Sequence, residues 1–480
     1  MTPKQKRILF VSGCVVALLI VVITALLLFL NVNVYKPRIE AAASDAIWMD
    51  FKIGGPMKIV LFPRFGVSLE KVLIKKGEMD FLSAEKVRIG LRLFPLIKRE
   101  ARISEFTIIE PKITIERDKN GRFNFEGEIQ KPAKEEKLPV ALLTMGSFVI
   151  SKGELVFLDR ISNTKTELNS IDLNIKNLSF TAERSHRLLQ DISFSGNFQC
   201  NALKTKGFEV KNIKFDMKGK NGIFDISPIA MDFFGGTEKG AIKADMTGDS
   251  PLLKIQFAAK KFNFEKFVES FSRKKVMKGQ MDFSLNIVTK GKSLEEMKKR
   301  MSGEASLRGE NLLLYGMDLD SLFSNIEESQ NFSLVDVGAF FLAGPLGTVL
   351  TKGYDFAGVY QETRGGQGII KKLVSEWRIK NGIAEAEDVA LSTRKNRVAM
   401  KGGLDFVNSR FDDVTVAALD EKGCAKFSQK IHGPFRKPQI EKISTLSTIV
   451  GPAVKLFEKA QKFILGKCKV FYKGSIKHPV

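Results

Sequence analysis

The sequence is poor in the residues that usually carry enzyme chemistry. Its 480 residues include three histidines, His186, His432 and His478, far apart and without H-x-x-H or H-E-x-x-H spacing. There is no G-x-S-x-G, P-loop or G-x-G-x-x-G, and the doublets Gly235-Gly236, Gly365-Gly366 and Gly402-Gly403 have the character of turns. Acid pairs such as Asp412-Asp413 stand in alternating sequence, where one carboxylate faces solvent. Two distant carboxylates converging in the fold are the remaining route to a hydrolase. No cofactor and no metal site is expected. The absence of zinc-finger and RNA-recognition patterns argues against nucleic acid as a partner.

Cysteine is equally sparse. Four in this length exclude a disulfide-built scaffold. Cys14 lies in an apolar run and Cys200 in a strand-like one. In an oxidising compartment the pair to expect is Cys424 with Cys468, which leaves one downstream cysteine over. Tyr and Trp are scarce too, 5 and 2 against 38 Phe. Phe brings apolar surface without the polar handle of the other two, so this chain carries much greasy surface and little polar aromatic edge. Ordinary core packing is the plainest use of it.

The chain has one long uncharged run. Ile8–Leu30 spans 23 residues with no charge and no proline, about 35 Å as a helix at ~1.5 Å per residue. That is enough to cross a hydrocarbon core about 30 Å thick. A cleaved secretory signal is the rival, since Lys4, Lys6 and Arg7 form a basic start. Signal cores run about 7–15 residues, however, and no A-x-A site follows closely. A buried helix of a soluble protein is a third possibility. The simplest arrangement is a tail at 1–7 inside, a single-pass anchor at 8–30, and the rest delivered to the other side of the membrane, although Lys36 and Arg38 weaken the charge bias. The formal charge is +22, of which Lys4, Lys6 and Arg7 supply +3, leaving +19 downstream. Such an excess suits anionic lipid as well as a plain solvated basic face.

Beyond the anchor, Tyr35 to Asp50 has helical character, with Pro37 suited to a first turn. Alternation then sets in: Met57–Leu61, Val67–Leu69, Val87–Leu93, Ile103–Ile109 and Lys112–Arg117. A hairpin turn at Asp118–Gly121 leads into Arg122–Phe125. These belong to a β-rich region at 31–130. The charged stretch QKPAKEEKL, beginning at Gln130, places a linker at 131–139. Region 140–430 follows with period-2 strands whose apolar sets are Ile171, Leu173 and Ile175; Ile213, Phe215 and Met217; Leu253, Ile255 and Phe257; and Met281, Phe283, Leu285 and Ile287. One apolar and one wet face per strand is the mark of antiparallel sheet. Short helices are expected at Phe264–Phe271, after Ser293 with Glu296 as a capping box, and at Leu319–Ile326. Phe332–Leu350 is apolar but too broken to span a membrane; it suits a core turn, a lid or a dip into lipid. In the region 431–480, Leu446, Ile449, Val450, Val454, Phe457 and Ile464 recur at helical spacing among lysines. That predicts a basic amphipathic helix, docked on its own domain, on a membrane or over a groove.

Two segments carry a family resemblance. Tyr35–Ile74 and Leu93–Phe125 resemble the N-terminal region of AsmA-family proteins, with matches at Pro95-Leu96, Arg99-Glu100, Ile103, Pro111, Ile113, Arg117, Gly121 and Asn124. Gly303, in MSGEASLRGENLLLYGMDLDSLF, sits in a run similar to one in the family's C-terminal region. Trp48 stands where the family often has Gly, and Phe125 follows Asn124 where Trp is common. The resemblance implies a mainly β fold: an N-terminal transmembrane helix, then an elongated, curved antiparallel sheet forming an apolar groove, with few short helices and the C-terminal amphipathic one. It also implies a periplasmic role in outer-membrane lipid homeostasis, similar to bridge-like lipid transfer proteins. The groove would be lined by the four apolar sets above, and the partner would be a membrane lipid, phospholipid or lipopolysaccharide. The alternative is a structural protein that assists envelope assembly through other envelope proteins. A bridge of some 240 Å needs roughly 50 strands at ~4.8 Å each, so a carrier, a partial bridge or a regulator suits this length better.

Overall fold

The computed structural model describes residues 31–61, 64–92, 95, 103–126, 142–181, 188–205, 208–270, 275–316, 318–324, 366–435, 437–445 and 469–479. The run 8–30, the charged stretch 131–139, the broken apolar stretch 332–350 and the helical pattern from Leu446 to Ile464 all lie outside them. Among the described residues no helix is long and apolar enough to cross a membrane. The fold is mainly β, and it divides into two compact units, one ending at Thr205 and the other beginning at Lys206.

The first unit opens with a short 3-10 turn, Val32–Tyr35, and helix α1, Lys36–Ile47, with Pro37 in its first turn. Glu40 and Ser44, one turn apart, tie the helix to the strand after it. The Ile53 amide donates to Glu40 Oε1 at 2.7 Å and the Phe51 amide to Ser44 Oγ at 2.9 Å. The helix ends at Trp48, whose φ of 57° is left-handed. Glycine takes that position readily; a bulky residue there is an outlier costing about 1–2 kcal/mol.

The sheet of this unit comprises β1 (Asp50–Ile53), β2 (Met57–Val60), β3 (Gly66–Lys76), β4 (Met79–Leu91), β5 (Ile103–Arg117), β6 (Leu142–Asp159), β7 (Thr164–Thr181) and β8 (Ser193–Thr205). β1 and β2 are two halves of an edge, both paired to β3. They are broken at Gly54-Gly55, where a Cβ on Gly55 would meet the Glu70 carbonyl oxygen at 2.9 Å. The order then runs β3, β4, β5, β6, β7, β8. All these pairings are antiparallel except β5 with β6, which is parallel. This corrects the expectation of a purely antiparallel sheet. The hairpin at Asp118 and the stretch through residue 141 supply a crossover long enough for parallel strands, which a tight turn cannot join. The turn itself is as expected: Asp118 Oδ1 accepts from the amides of Asn120 (2.8 Å) and Arg122 (2.9 Å).

The second unit contains β9 (Phe208–Lys220), β10 (Ile223–Asp232), β11 (Thr237–Asp245), β12 (Leu252–Asn263), β13 (Met277–Lys278), β14 (Gln280–Lys290), β15 (Ser302–Tyr315), β16 (Gln367–Lys380), β17 (Ile383–Ser392), β18 (Arg397–Asp405), β19 (Arg410–Leu419) and β20 (Ala425–Pro434). Neighbours pair antiparallel in chain order, with β12 passing directly to β14. Helix α2, Phe264–Glu269, is capped by Asn263; α3, Leu294–Lys299, is capped by Ser293, whose Oγ accepts from the Glu296 amide at 3.2 Å. Glu296 Oε2 in turn accepts from the Lys292 amide at 3.0 Å, one residue earlier than in the standard box. Helix α4 is Leu319–Ser324.

Bulges bend both sheets. Lys71, Glu110, Lys152 and Ser170, on β3, β5, β6 and β7, all have φ between 52° and 54°. The β6–β7 register slips beside Lys152. Such a break kinks its strand and increases its twist, so several of them across a sheet curve it. The second unit repeats the device at Asn212, Lys261, Asn311 and Asp413.

The large core belongs to the second unit. The inner faces of β12 and β14–β20 form one buried cluster with Phe264, Phe267 and Val268 of α2. On the outer face of β17–β19, Tyr472 and Ile476 of segment 469–479 pack on Ala390, Ala399, Ala417 and Leu419. Arg397 Nη1 donates to the Ile476 carbonyl at 3.1 Å, and the Ser475 amide donates to Asp388 at 3.0 Å. Burial and a hydrogen bond to Asp388 push the Tyr472 phenol above its usual range. Coverage on both faces accounts for the unbroken buried apolar stretches Val389–Leu391, Val398–Met400 and Val416–Leu419 within β17–β19. Phe262→Ala should therefore cost about 3–5 kcal/mol in urea unfolding, whereas Phe215→Ala, on a half-buried face, should cost about 1 kcal/mol.

Candidate functional site

The candidate site is the apolar sheet face that each unit leaves half-buried. In a sheet, residues directly opposite one another point to the same side. In the first unit this lines up four rows across β3–β8. One is Val67, Ile89, Phe106, Phe148, Ile175 and Gly196; the next is Leu69, Val87, Ile108, Ile150, Leu173 and Phe198. Beyond the bulges, Val72 and Ala84 continue through Pro111 and Gly153 to Ile171 and Cys200. The fourth row is Ile74, Leu82, Ile113, Leu155, Leu168 and Leu203. A Cβ on Gly153 would meet Pro111 at 3.3 Å, so the third row is closely packed. The opposite face is polar: Ser68, Arg88, Thr107, Val149, Asn174 and Asn197 form one of its rows. Ion pairs such as Lys152–Glu110 (3.4 Å) and Arg160–Glu116 (2.9 Å) neutralise part of its basic charge.

The face is unevenly covered. Ile53, Met57, Leu69, Val72, Ala84, Val87 and Ile108 form a small buried core at the β1–β5 end. Towards β6–β8 the side chains of Phe148, Ile150, Leu173, Ile175, Phe198 and Leu203 stay half-buried, and only Ile171 and Cys200 are buried. Among the described residues of this unit, the one-turn helix Leu188–Asp191 is the element beyond the neighbouring strands that contacts β7.

The second unit shows the same gradient. Its rows Phe215, Ile229, Gly240, Phe257, Leu285 and Met217, Ile226, Ile242, Ile255, Ile287 run from β9 to β14. Ile213, Phe215, Met217, Leu253, Ile255 and Phe257 are half-buried, while Met281, Phe283 and Ile287 belong to the core and Leu285 packs against it. The four apolar sets of the sequence thus all fall on apolar faces, but the β14 set serves packing.

One charged residue sits in this face. Glu238, opposite Ala259 and in line with Phe283 and Leu307, is 7% exposed, and its Oε1 has no hydrogen-bond partner. Beside it lies a cluster of phenylalanines. Phe233, Phe262 and Phe267 have centroids 5.6–5.7 Å apart, and Phe234 lies 4.9 Å from Phe233. Burial, assisted by the Asp232 carboxylate, pushes the Glu238 carboxyl up to about 7, against backbone hydrogen bonds from Phe233 and its own amide. The sequence alone concealed it among TEKGAIKAD; its parity with Gly240, Ile242 and Ala244 is the signal that reveals it.

Elsewhere the chemistry is thin. Two clefts of about 610 and 550 Å³ are lined by polar groups such as Asp318, Asp320 and Arg394, away from these apolar faces. Asp320 is already engaged by Thr393, by the amides of Arg394 and Lys395 (both 3.3 Å), and by Asn396 (2.8 Å), which makes it a structural cap. Among the described residues no group of three or more His, Cys, Asp or Glu is placed to hold a metal ion. Cys200 is a buried free thiol, whereas Cys424 is disulfide-bonded. Its expected partner, Cys468, lies outside the described residues.

Glu238 gives the site a testable pH signature. Its pKa is higher in the folded chain than the unfolded value of 4.5, so the folded state holds the extra proton. Its contribution to stability is then full below about 4.5 and is lost as pH rises through about 7, at up to about 1.4 kcal/mol per pH unit. Urea unfolding of Glu238→Gln and the parent chain at pH 5 and pH 8 should show the variant gaining relative stability at pH 8.

The mainly β, curved and mostly antiparallel strands with few short helices match part of what the resemblance implied for the fold; its transmembrane helix and C-terminal amphipathic helix lie outside the described residues. No curated protein and no solved structure matches the chain. A family model described as the AsmA family matches residues 2–183 and 130–384, and that family is not a known enzyme family. With most of its length matched, the chain belongs to the AsmA family.

Proposed function

We propose that this protein binds or transfers membrane lipid at the bacterial envelope, with acyl chains lying along its half-buried apolar faces. It is held in the inner membrane by the run 8–30, the bulk of the chain sits in the periplasm, and its work contributes to outer-membrane lipid homeostasis. The observation that carries this is the set of in-line apolar rows on β6–β8 and on β9–β12. Among the described residues they present a continuous half-buried apolar surface, and such surface marks a ligand or partner site. Acyl chains suit it because they need apolar contact along a length and no directional bonds. The family's association with the envelope supports the location. The bonded Cys424 fits an oxidising compartment. Cys468 is its partner in this proposal, because Phe471, three residues on, donates its amide to the Gly423 carbonyl at 2.8 Å.

Phospholipid and lipopolysaccharide share the chemistry these faces recognise. A second reading, a structural protein assisting envelope assembly through other proteins, is favoured by one feature: β14–β20 are already filled by their own core. It predicts that the half-buried rows are covered by protein.

Mass spectrometry of the full chain purified in mild detergent should find phospholipid or lipopolysaccharide bound. Leu173→Glu and Phe215→Glu should each lower bound lipid several-fold while leaving the far-UV spectrum unchanged and the melting transition cooperative, lowered by only about 2–4 °C. Met281→Glu, in the core, should unfold the second unit. A lipid-free parent chain, or unfolding by the first two substitutions, would favour the second reading.

A further inference from the structure

Helix α1 presents an unusual division of polarity. A helix on a globular domain normally turns its apolar side inward. Here Glu40 and Ser44 face the sheet and hold it by hydrogen bonds, and α1 has no buried residue. Ile39, Ala42 and Ala46, at three- and four-residue spacing, are exposed, and so are Tyr35 before the helix and Ile47 at its end. Trp48 is 70% exposed and left-handed. Water and conformation both disfavour that tryptophan where it stands. Something apolar on one side and polar on the other would favour it.

The preceding chain says what that is. The uncharged run ends at Leu30, one residue before the Asn31 cap of the 3-10 turn, so α1 emerges beside whatever holds that run. We propose that α1 lies in the headgroup layer of the bilayer that holds residues 8–30, with Tyr35, Ile39 and Trp48 inserted and Lys36 and Arg38 beside lipid phosphates. Tyr and Trp concentrate at that depth because their rings are apolar and their tips polar, and helices with one apolar face lie in the same plane. The contact fixes the first unit against the membrane surface. The inference rests on residues 8–30 being an anchor, a part of the proposed function that can fail separately.

Tryptophan fluorescence separates the two. The chain has two tryptophans, and the other, Trp377, is 3% exposed and donates to Ser375 at 2.7 Å, out of reach of quenchers. Reconstituted full-length protein should lose emission when its bilayer contains lipids brominated near the headgroup end of the chain, and should resist aqueous iodide. In Trp48→Phe, a surface change that leaves the fold intact, the lipid-quenched component should disappear. Emission quenched by iodide and untouched by brominated lipid, in protein that resists carbonate extraction, would overturn the interfacial helix and leave the anchor standing. Release of the chain by carbonate would remove the anchor and the inference with it.

Discussion

The sheets of this protein depend on one constraint: apolar side chains stay opposite apolar side chains from strand to strand. The ladder from Leu69 to Phe198 crosses six strands and a change from antiparallel to parallel pairing without leaving its face. A slip of one residue anywhere would turn an entire strand's apolar set to the wet side. The left-handed residues Lys71, Glu110, Lys152 and Ser170 lie on four strands of the same sheet, β3, β5, β6 and β7, and the rows beyond them meet again. Curvature is thereby gained without loss of the apolar face.

What differs along the chain is how this face is covered. At β1–β5 and β14–β20 the units close it with their own side chains, and in the second case with the segment at 469–479 on the other side as well. At β6–β8 and β9–β12 it stays half-buried. Closed regions give stability, and the half-buried ones are where we propose that a ligand lies. The phenylalanine-rich cluster around Phe233 and Phe262 sits where one passes into the other. Glu238, buried there with an unpartnered oxygen, interrupts an otherwise apolar row.

Much of this was legible in the sequence. Period-2 alternation identified the faces of β7, β9, β12 and β14, and side-chain chemistry identified the Asp118 turn and the Ser293 cap. The rest was not, for physical reasons. Leu168 and Ile171 share a face at odd spacing because Ser170 is a bulge, and local periodicity carries no sign of that. The parallel pairing of β5 with β6 is a long-range choice. β12 and β14 alternate alike, yet β14 is core, because burial depends on what packs over a strand rather than on its own pattern. Trp48 looked like a departure from the family's glycine, and only its left-handed, exposed conformation gave it meaning.

The central claim is that the half-buried faces hold acyl chains. The most direct test is site-specific photo-crosslinking in cells, with a photoreactive residue placed at Leu173, Phe215 or Ile255 on the apolar face and at Asn174, Asp216 or Gln256 on the polar one. Lipid adducts confined to the first three positions are what this account predicts. Protein adducts at those positions, or lipid captured equally from both faces, would contradict it.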